Sequence, residues 1–482
     1  MKPITISFQD IVENNAISGG SFNYYEITKL MPSLKEFKLV KHDICDLLKG
    51  DKKSIQSLEE VDTIVNTIGP FSYFYFYLRE KYNLKYNIVS DVRTAFMSGY
   101  YLQQYLCSPL IRSNDKFLFP SNFSRELYIK LFPTSLSHKN TFLSYPLVEH
   151  FKKVKKNDHG NSKKVVLGYI GRITNQKNIE QVFELFIKLF KEEKSDKEYH
   201  LHICGPIDME CSILGVNFKD LNKLLKKFDI PSERVKYLGP LPYNTIWKFY
   251  SNIDVLLFFS LANVETLGRI LIEASHANVP VVASDYGAVR ELIPADNIVK
   301  TLIDKKVFDM NDYFSLGKVD LEDAKEKIKD ISKLKISEAS KLDCYAKESF
   351  IDILKGLNLD NKVSSSALHK NVSGFINSLE INYDLKTCDK DVALKHIEKL
   401  IMFSNIYNGH TLLSIFFKKI PLFFKTASKS TNKKITFNIF AKNIIAKQTI
   451  AHKHFLAREF ANLLSFKPRL NLENIEACQE EQ

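Results

Sequence analysis

Two glutamates, Glu265 and Glu273, stand with seven residues between them in the stretch NVETLGRILIEASHANVP. The pattern reads as a loop running into a helix that begins near Gly268. Glu265 then lies ahead of the helix. Thr266, Leu267 and Gly268 present backbone N–H groups at its positive end, where an anion or polarised oxygen can be held without a side chain. Glu273 falls about two turns further on, beside Ile270, Leu271, Ile272 and Ala274. A carboxylate in apolar surroundings requires a partner. Two vicinal hydroxyls of a ribose would supply a pair of charge-assisted hydrogen bonds; an exposed acid on an ordinary helix is the alternative.

A second constellation lies upstream, in GYIGRITNQKN over 168–178. Gly168 and Gly171 sit at the carboxyl end of a predicted strand, where ligands bind in open α/β sheets. Arg172 and Lys177 follow at a spacing that lets both reach one crevice. A guanidinium fork with a lysine point charge suits a diphosphate. A surface turn carrying two ordinary basic residues fits the same spacing.

The elements that must position these residues are legible around them. From Lys163 to Lys300 apolar runs alternate with helical patterns. KVVLGYIGRI reads as a buried strand, and NIEQVFELFIKLFKEEK follows with Ile179, Val182, Phe183, Phe186 and Phe190 on one helical face. The strands YHLHICG, RVKYLG, DVLLFF and VPVVAS are continuously apolar, as in a parallel sheet covered by helices on both sides. This predicts a Rossmann-like domain over 165–356. Residues 1–150 contain the shorter strand candidates PITISF, VDTIVNTI, YNIVSD and KFLFPS, which predict a second, smaller α/β domain. The aromatic run PFSYFYFYLREKY within it is either a core helix or a stacking surface. The lysine-rich stretch 151–164 reads as an interdomain linker. Residues 357–482 read as a mostly helical basic extension, either a solvated face or an attachment to an anionic membrane surface. Pro421 interrupts any single long helix there.

Composition narrows the classes. At 482 residues, 45% hydrophobic and 26% charged, the chain has room for two or three globular domains. Its longest apolar runs, such as IDVLLFF and LLSIFF, fall far short of the roughly 20 residues a membrane span needs. The N-terminus lacks a signal-peptide pattern, and the expectation is a cytoplasmic protein, peripheral on the inner face of the membrane if the basic tail attaches there. Seven scattered cysteines with no C-x-x-C pair fit reduced thiols, and no histidine spacing supports a metal site. The net charge of +12 suits phosphate-bearing partners, while the signatures of nucleic-acid modules are absent.

Taken together, IGRITNQKN, LHICGP, VKYLGPL and the run from YSNIDVLLFF to GAVRELI resemble the C-terminal domain of group 1 retaining glycosyltransferases. The resemblance implies a GT-B fold, with two Rossmann-like domains facing a cleft. It implies that Arg172 and Lys177 bind a donor diphosphate with Gly171 beside them, and that Glu265 contacts the donor sugar. Thr266, Leu267 and Gly268 would offer backbone N–H groups, and Glu273 would hold the nucleotide ribose. Gly19 and Gly20, in ISGGSFNYY, correspond to a glycine pair approaching the donor phosphate or the acceptor. The chain departs from the family at Asn278, where a glycine is usual, although asparagine also tolerates the left-handed conformation. It departs again after YNIVSD, where a sugar-contacting histidine is usual and Asp91 and Arg93 stand instead. These two either take over the sugar or acceptor contact or form a structural salt bridge.

The implied reaction moves a sugar from a nucleotide-diphosphate donor to an acceptor hydroxyl with retention, using no metal and no cofactor. The acceptor would be a glycan, lipid-linked or other hydroxyl compound. A catalytically silent GT-B scaffold acting as a binding protein and a nucleotide-sugar epimerase are the rival readings.

Overall fold

The computed structural model describes residues 3–8, 36–43, 46–47, 50–67, 72–93, 104, 107–145, 154, 163–193, 196–207, 211–262, 265–303, 315–356 and most of 390–398. Gly19, Gly20, nearly all of the 151–164 linker and most of the 357–482 extension lie outside these residues.

The first domain is built on six parallel strands: β1 (Ile4–Phe8), β2 (Phe37–Val40), β3 (Thr63–Thr67), β4 (Asn87–Asp91), β5 (Lys116–Phe119) and β6 (Thr141–Leu143). Their spatial order is β2-β1-β3-β4-β5-β6. Helix α1 (Ser72–Lys81) joins β3 to β4 and carries the aromatic run. Tyr73, Phe74, Tyr75, Phe76 and Tyr77 are all buried, which settles the run as core. Helix α2 (Asn122–Leu131) follows β5, with Ser121 as N-cap accepting from the Ser124 N–H.

The second domain repeats the plan with β7 (Lys164–Ile170), β8 (Glu198–Cys204), β9 (Val235–Tyr237), β10 (Val255–Phe258), β11 (Val281–Ser284) and β12 (Ile298–Val299). Their order is β9-β8-β7-β10-β11-β12, all parallel. The period-2 geometry of a strand divides each apolar run between two layers. Val165, Leu167 and Tyr169 of β7 join Leu257 and Val282 under helix α3 (Ile179–Lys191). Val166 and Ile170 join Leu256 and Val281 on the opposite face, under α4 (Ile246–Ser251) and α5 (Arg269–His276). Two buried faces are the physical reason why these strands read as continuously hydrophobic. The two sheets form the pair of Rossmann-like domains expected of the GT-B fold.

One boundary differs from the sequence reading. Helix α6 (Lys347–Leu354), assigned there to the second domain, buries Phe350, Ile353 and Leu354 against Ile6, Phe8, Val65, Val89 and Leu118 of the first sheet. Its apolar face fits either domain by pattern, and only the chain path returns it to the first. The domains also meet directly. Ser121 donates to the Thr266 carbonyl (2.7 Å), Thr266 Oγ1 donates to the Arg93 carbonyl (3.0 Å), and Phe123 packs edge-on against Tyr286. No helix among the described residues is long and apolar enough to cross a membrane.

Candidate functional site

The order of the second sheet reverses between β7 and β10: β8 and β9 lie on one side of that pair, β11 and β12 on the other. A crevice opens beyond the carboxyl ends of the strands at such a switch point, and ligands of open α/β sheets bind there. Gly171 and Arg172 leave β7 at this edge, and Glu265 follows β10 at the same edge. The topology therefore brings the two sequence constellations together.

Glycine is required where the backbones converge. Gly171 donates its N–H to the Cys204 carbonyl (3.0 Å), and a Cβ on Gly205 would lie 1.8 Å from the Gly171 oxygen. Gly205 holds φ +138°, a region that side-chain-bearing residues rarely adopt. Arg172 is exposed beyond this junction, its carbonyl accepting from the Tyr169 hydroxyl (2.6 Å). A turn of 3₁₀ helix over Asn175–Lys177 then brings Lys177 back towards the switch point.

Lys177 and Glu265, 88 residues apart, form an ion pair, with side chains 20% and 15% exposed. Ser260 donates to the same carboxylate (3.0 Å), and so does the Gly268 N–H. Burial alone would raise the Glu265 pKa. The Lys177 charge and these hydrogen bonds outweigh it and hold the carboxyl below its ordinary value, so Glu265 is an anion at neutral pH. Tyr286 faces it, its phenol kept neutral by burial and by the Glu265 charge.

The N–H groups expected to be free at the helix start are only partly so. Gly268 is the N-cap of α5 in the left-handed region (φ +75°), and its N–H turns back to Glu265. Thr266 is buried and faces the first domain through its hydroxyl and carbonyl, while the Leu267 side chain lies in the core. Asn278 adopts the left-handed conformation at φ +54° after α5, in the place of the usual glycine.

Glu273 is 4% exposed and has protein partners on both oxygens. Oε1 accepts from Arg269 Nε (3.0 Å) and Oε2 from the Tyr250 hydroxyl (2.9 Å). Neither partner was named from the sequence. Arg269 could have been found, because it precedes Glu273 by four residues and so shares its helix face. Tyr250 could not, since it comes from α4 and is set against Glu273 by the packing of the two helices on one sheet face.

Across the seam, Asp91 and Arg93 pair with each other: Arg93 Nε lies 2.7 Å from Asp91 Oδ2, and the guanidinium lies over the Tyr145 ring. Both are nearly inaccessible, and the Arg93 backbone touches Thr266. Asp91 Oδ1 is buried with no hydrogen-bond partner among the described residues. The pair stands at the carboxyl end of β4, directly opposite the Glu265 loop.

Residues 151–347 match the family described as glycosyl transferases, group 1. A glycosyltransferase of Methanocaldococcus jannaschii, itself uncharacterized, is 30% identical over 139 residues, covering 28% of this chain and 30% of that protein. The match thus spans about a third of the length of this curated relative. Among solved structures, Anabaena HepE in complex with UDP is similar at 14% identity and TM-score 0.49, over 74% of this chain and all of that one. The lipopolysaccharide outer core galactosyltransferase WaaB is similar at 17% identity and TM-score 0.46, over 83% of this chain and all of that one. A glycosyltransferase of Rickettsia africae is similar at 13% identity and TM-score 0.47, over 83% and 98%. Residues 151–347 thus form a domain similar to the group 1 glycosyl transferases.

Proposed function

We propose that this protein transfers a sugar from a nucleotide-diphosphate donor to an acceptor hydroxyl with retention at the anomeric carbon. The observation that carries the reading is the Lys177–Glu265 pair at the topological switch point, with Arg172 following β7 at the same strand-end edge and the buried Glu273 carboxylate further along α5.

Arg172 and Lys177 hold the donor diphosphate in this reading. An ammonium has three donors, so Lys177 can keep Glu265 and still bind a phosphate oxygen. The C1–O bond to the diphosphate breaks as a C1–O bond to the acceptor forms on the same face. The acceptor proton passes to the departing phosphate oxygen, so no side-chain nucleophile is needed. The two cations stabilise charge on the leaving group electrostatically, without a metal or cofactor. The Glu265 carboxylate, partly neutralised by Lys177, accepts hydrogen bonds from the donor sugar, and Glu273 accepts from the ribose. Gly171 lets the backbone approach the diphosphate. Asp91, whose Oδ1 has no hydrogen-bond partner among the described residues, receives a sugar or acceptor hydroxyl while Arg93 fixes its orientation. Contact of the basic extension with an anionic membrane would bring a lipid-linked or glycan acceptor to the inner face.

Calorimetric titration with UDP, GDP and ADP and their common sugar conjugates tests the reading. The expected result is saturable binding of one nucleotide, weakened at least tenfold in Glu273→Ala, with release of free nucleotide once an acceptor is supplied. No binding of any nucleotide at millimolar concentration would overturn it.

A further inference from the structure

Glu273 does not wait for its ligand as a lone buried carboxylate. Tyr250 is fully buried on α4, and its hydroxyl donates to Oε2 at 2.9 Å. Arg269, on the same helix as Glu273 and 10% exposed, donates from Nε to Oε1 at 3.0 Å. The two oxygens are therefore held from different directions by different elements. The Tyr250 ring is fixed in turn, packed against Trp247 at 5.8 Å and Phe249 at 5.6 Å between centroids. Trp247 also meets the His276 ring at the end of α5. A carboxylate accepts up to about four hydrogen bonds. With one taken on each oxygen, each keeps acceptor capacity for a further donor.

We infer that Tyr250 and Arg269 are positioning residues that orient Glu273 as a two-point acceptor for a cis-diol, so that the site selects the ribose form of its nucleotide over the 2′-deoxy form. The inference rests on the proposed nucleotide-sugar reading and assigns it a specificity. Both partners are needed for the same reason. Without Arg269 the buried anion loses its cation and turns towards solvent; without Tyr250 it keeps its charge balance but rotates about its terminal torsion, which is intrinsically soft. Fixing that torsion before the ligand arrives removes an ordering cost from binding.

The test compares UDP with 2′-deoxy-UDP, or the corresponding pair for whichever base binds, on the full chain by calorimetry. Wild type is expected to prefer the ribose form at least tenfold. Tyr250→Phe keeps the ring packing and removes only the hydroxyl; it is expected to weaken the ribose nucleotide severalfold while leaving the deoxy nucleotide unchanged, so the preference contracts. Arg269→Lys keeps the charge and is expected to recover part of the preference lost in Arg269→Ala. Equal weakening of both nucleotides in Tyr250→Phe would show a general packing role and overturn the inference. So would a wild type that binds both forms equally, an outcome that leaves the nucleotide-sugar reading standing. Thermal midpoints of each variant identify any that fail to fold, and Tyr250→Phe, which deletes one atom, then carries the decision.

Discussion

The Glu291 carboxylate of the second domain accepts the backbone N–H groups of Asn122 and Phe123, both at 2.8 Å, at the N-terminus of α2 in the first domain. One domain thus caps a helix of the other. A carboxylate at this end satisfies two of the four N–H groups a helix leaves open and meets its positive dipole. Burial nevertheless dominates and raises the Glu291 pKa, with the two N–H bonds opposing it. Together with the Ser121–Thr266 hydrogen bond, the contact ties the second domain to the start of α2 in the first.

Replacement of Glu291 by alanine should cost about 1–2 kcal/mol, the usual loss for a helix cap. Urea denaturation at neutral pH measures it. Because the folded pKa is raised, the ionised group contributes least above that pKa, and its contribution grows as pH falls through it towards the unfolded value of 4.5. The wild-type advantage over Glu291→Ala should therefore increase on mild acidification; a decrease would contradict the burial argument.

Lys177→Ala leaves Glu265 as a buried anion without its cation. We expect transfer to fall at least a hundredfold and the thermal midpoint to drop, with partial recovery in Lys177→Arg. The pair also sets an acid limit. The lowered Glu265 pKa means its stabilisation is complete above 4.5 and is lost as pH falls through the folded value. The acid limb of stability should lie below pH 4.5 in wild type and move upward in Lys177→Ala, as pH-dependent thermal melts would show.

Gly268→Ala should be strongly destabilising. The position has φ +75°, and a Cβ there would sit 2.9 Å from the Phe258 ring and 3.1 Å from Leu271. The backbone strain alone is about 1–3 kcal/mol. Since the Gly268 N–H bonds Glu265, donor affinity should fall together with stability. Unchanged affinity in a folded Gly268→Ala protein would separate the helix start from the site.

His42 should stay neutral well below its ordinary range. Its Nδ1 lies 2.6 Å from Ser7 Oγ and its Nε2 2.6 Å from the Tyr75 hydroxyl. Ser7 donates its own proton to the Val40 carbonyl (2.8 Å), so Nδ1 carries the imidazole proton and Tyr75 donates to Nε2. Burial lowers the pKa to about 4, against a smaller upward pull from Asp43. A base with a depressed folded pKa contributes fully above its unfolded value of 6.5, and that contribution is lost as pH falls from there to about 4. Proton NMR of the His42 ring should show no titration near pH 6.5, and His42→Gln should flatten the fall in thermal midpoint over that interval.

Much of this arrangement was legible in the chain. The strands of the second sheet announced themselves because burial on both faces removes polar alternation, as in Val165–Tyr169 and Val255–Phe258. The spacing of Glu265 and Glu273 placed one before a helix and one within it, since helix period and capping act locally. The left-handed turn at Asn278 followed from the same local sterics. Each of these depends on residues only a few positions apart.

Interactions between distant elements were not legible. The sequence alone determined an α/β chain with a basic-and-acidic loop pair at strand ends. Only the tertiary structure decided that Lys177 meets Glu265 across 88 residues, that Tyr250 reaches Glu273 from another helix, that Glu291 caps a helix of the other domain, and that α6 returns to the first sheet. The division has one physical cause. Backbone sterics and hydrophobic periodicity are written within a few residues, whereas a side-chain partner is chosen by strand order and by which helix packs on which face.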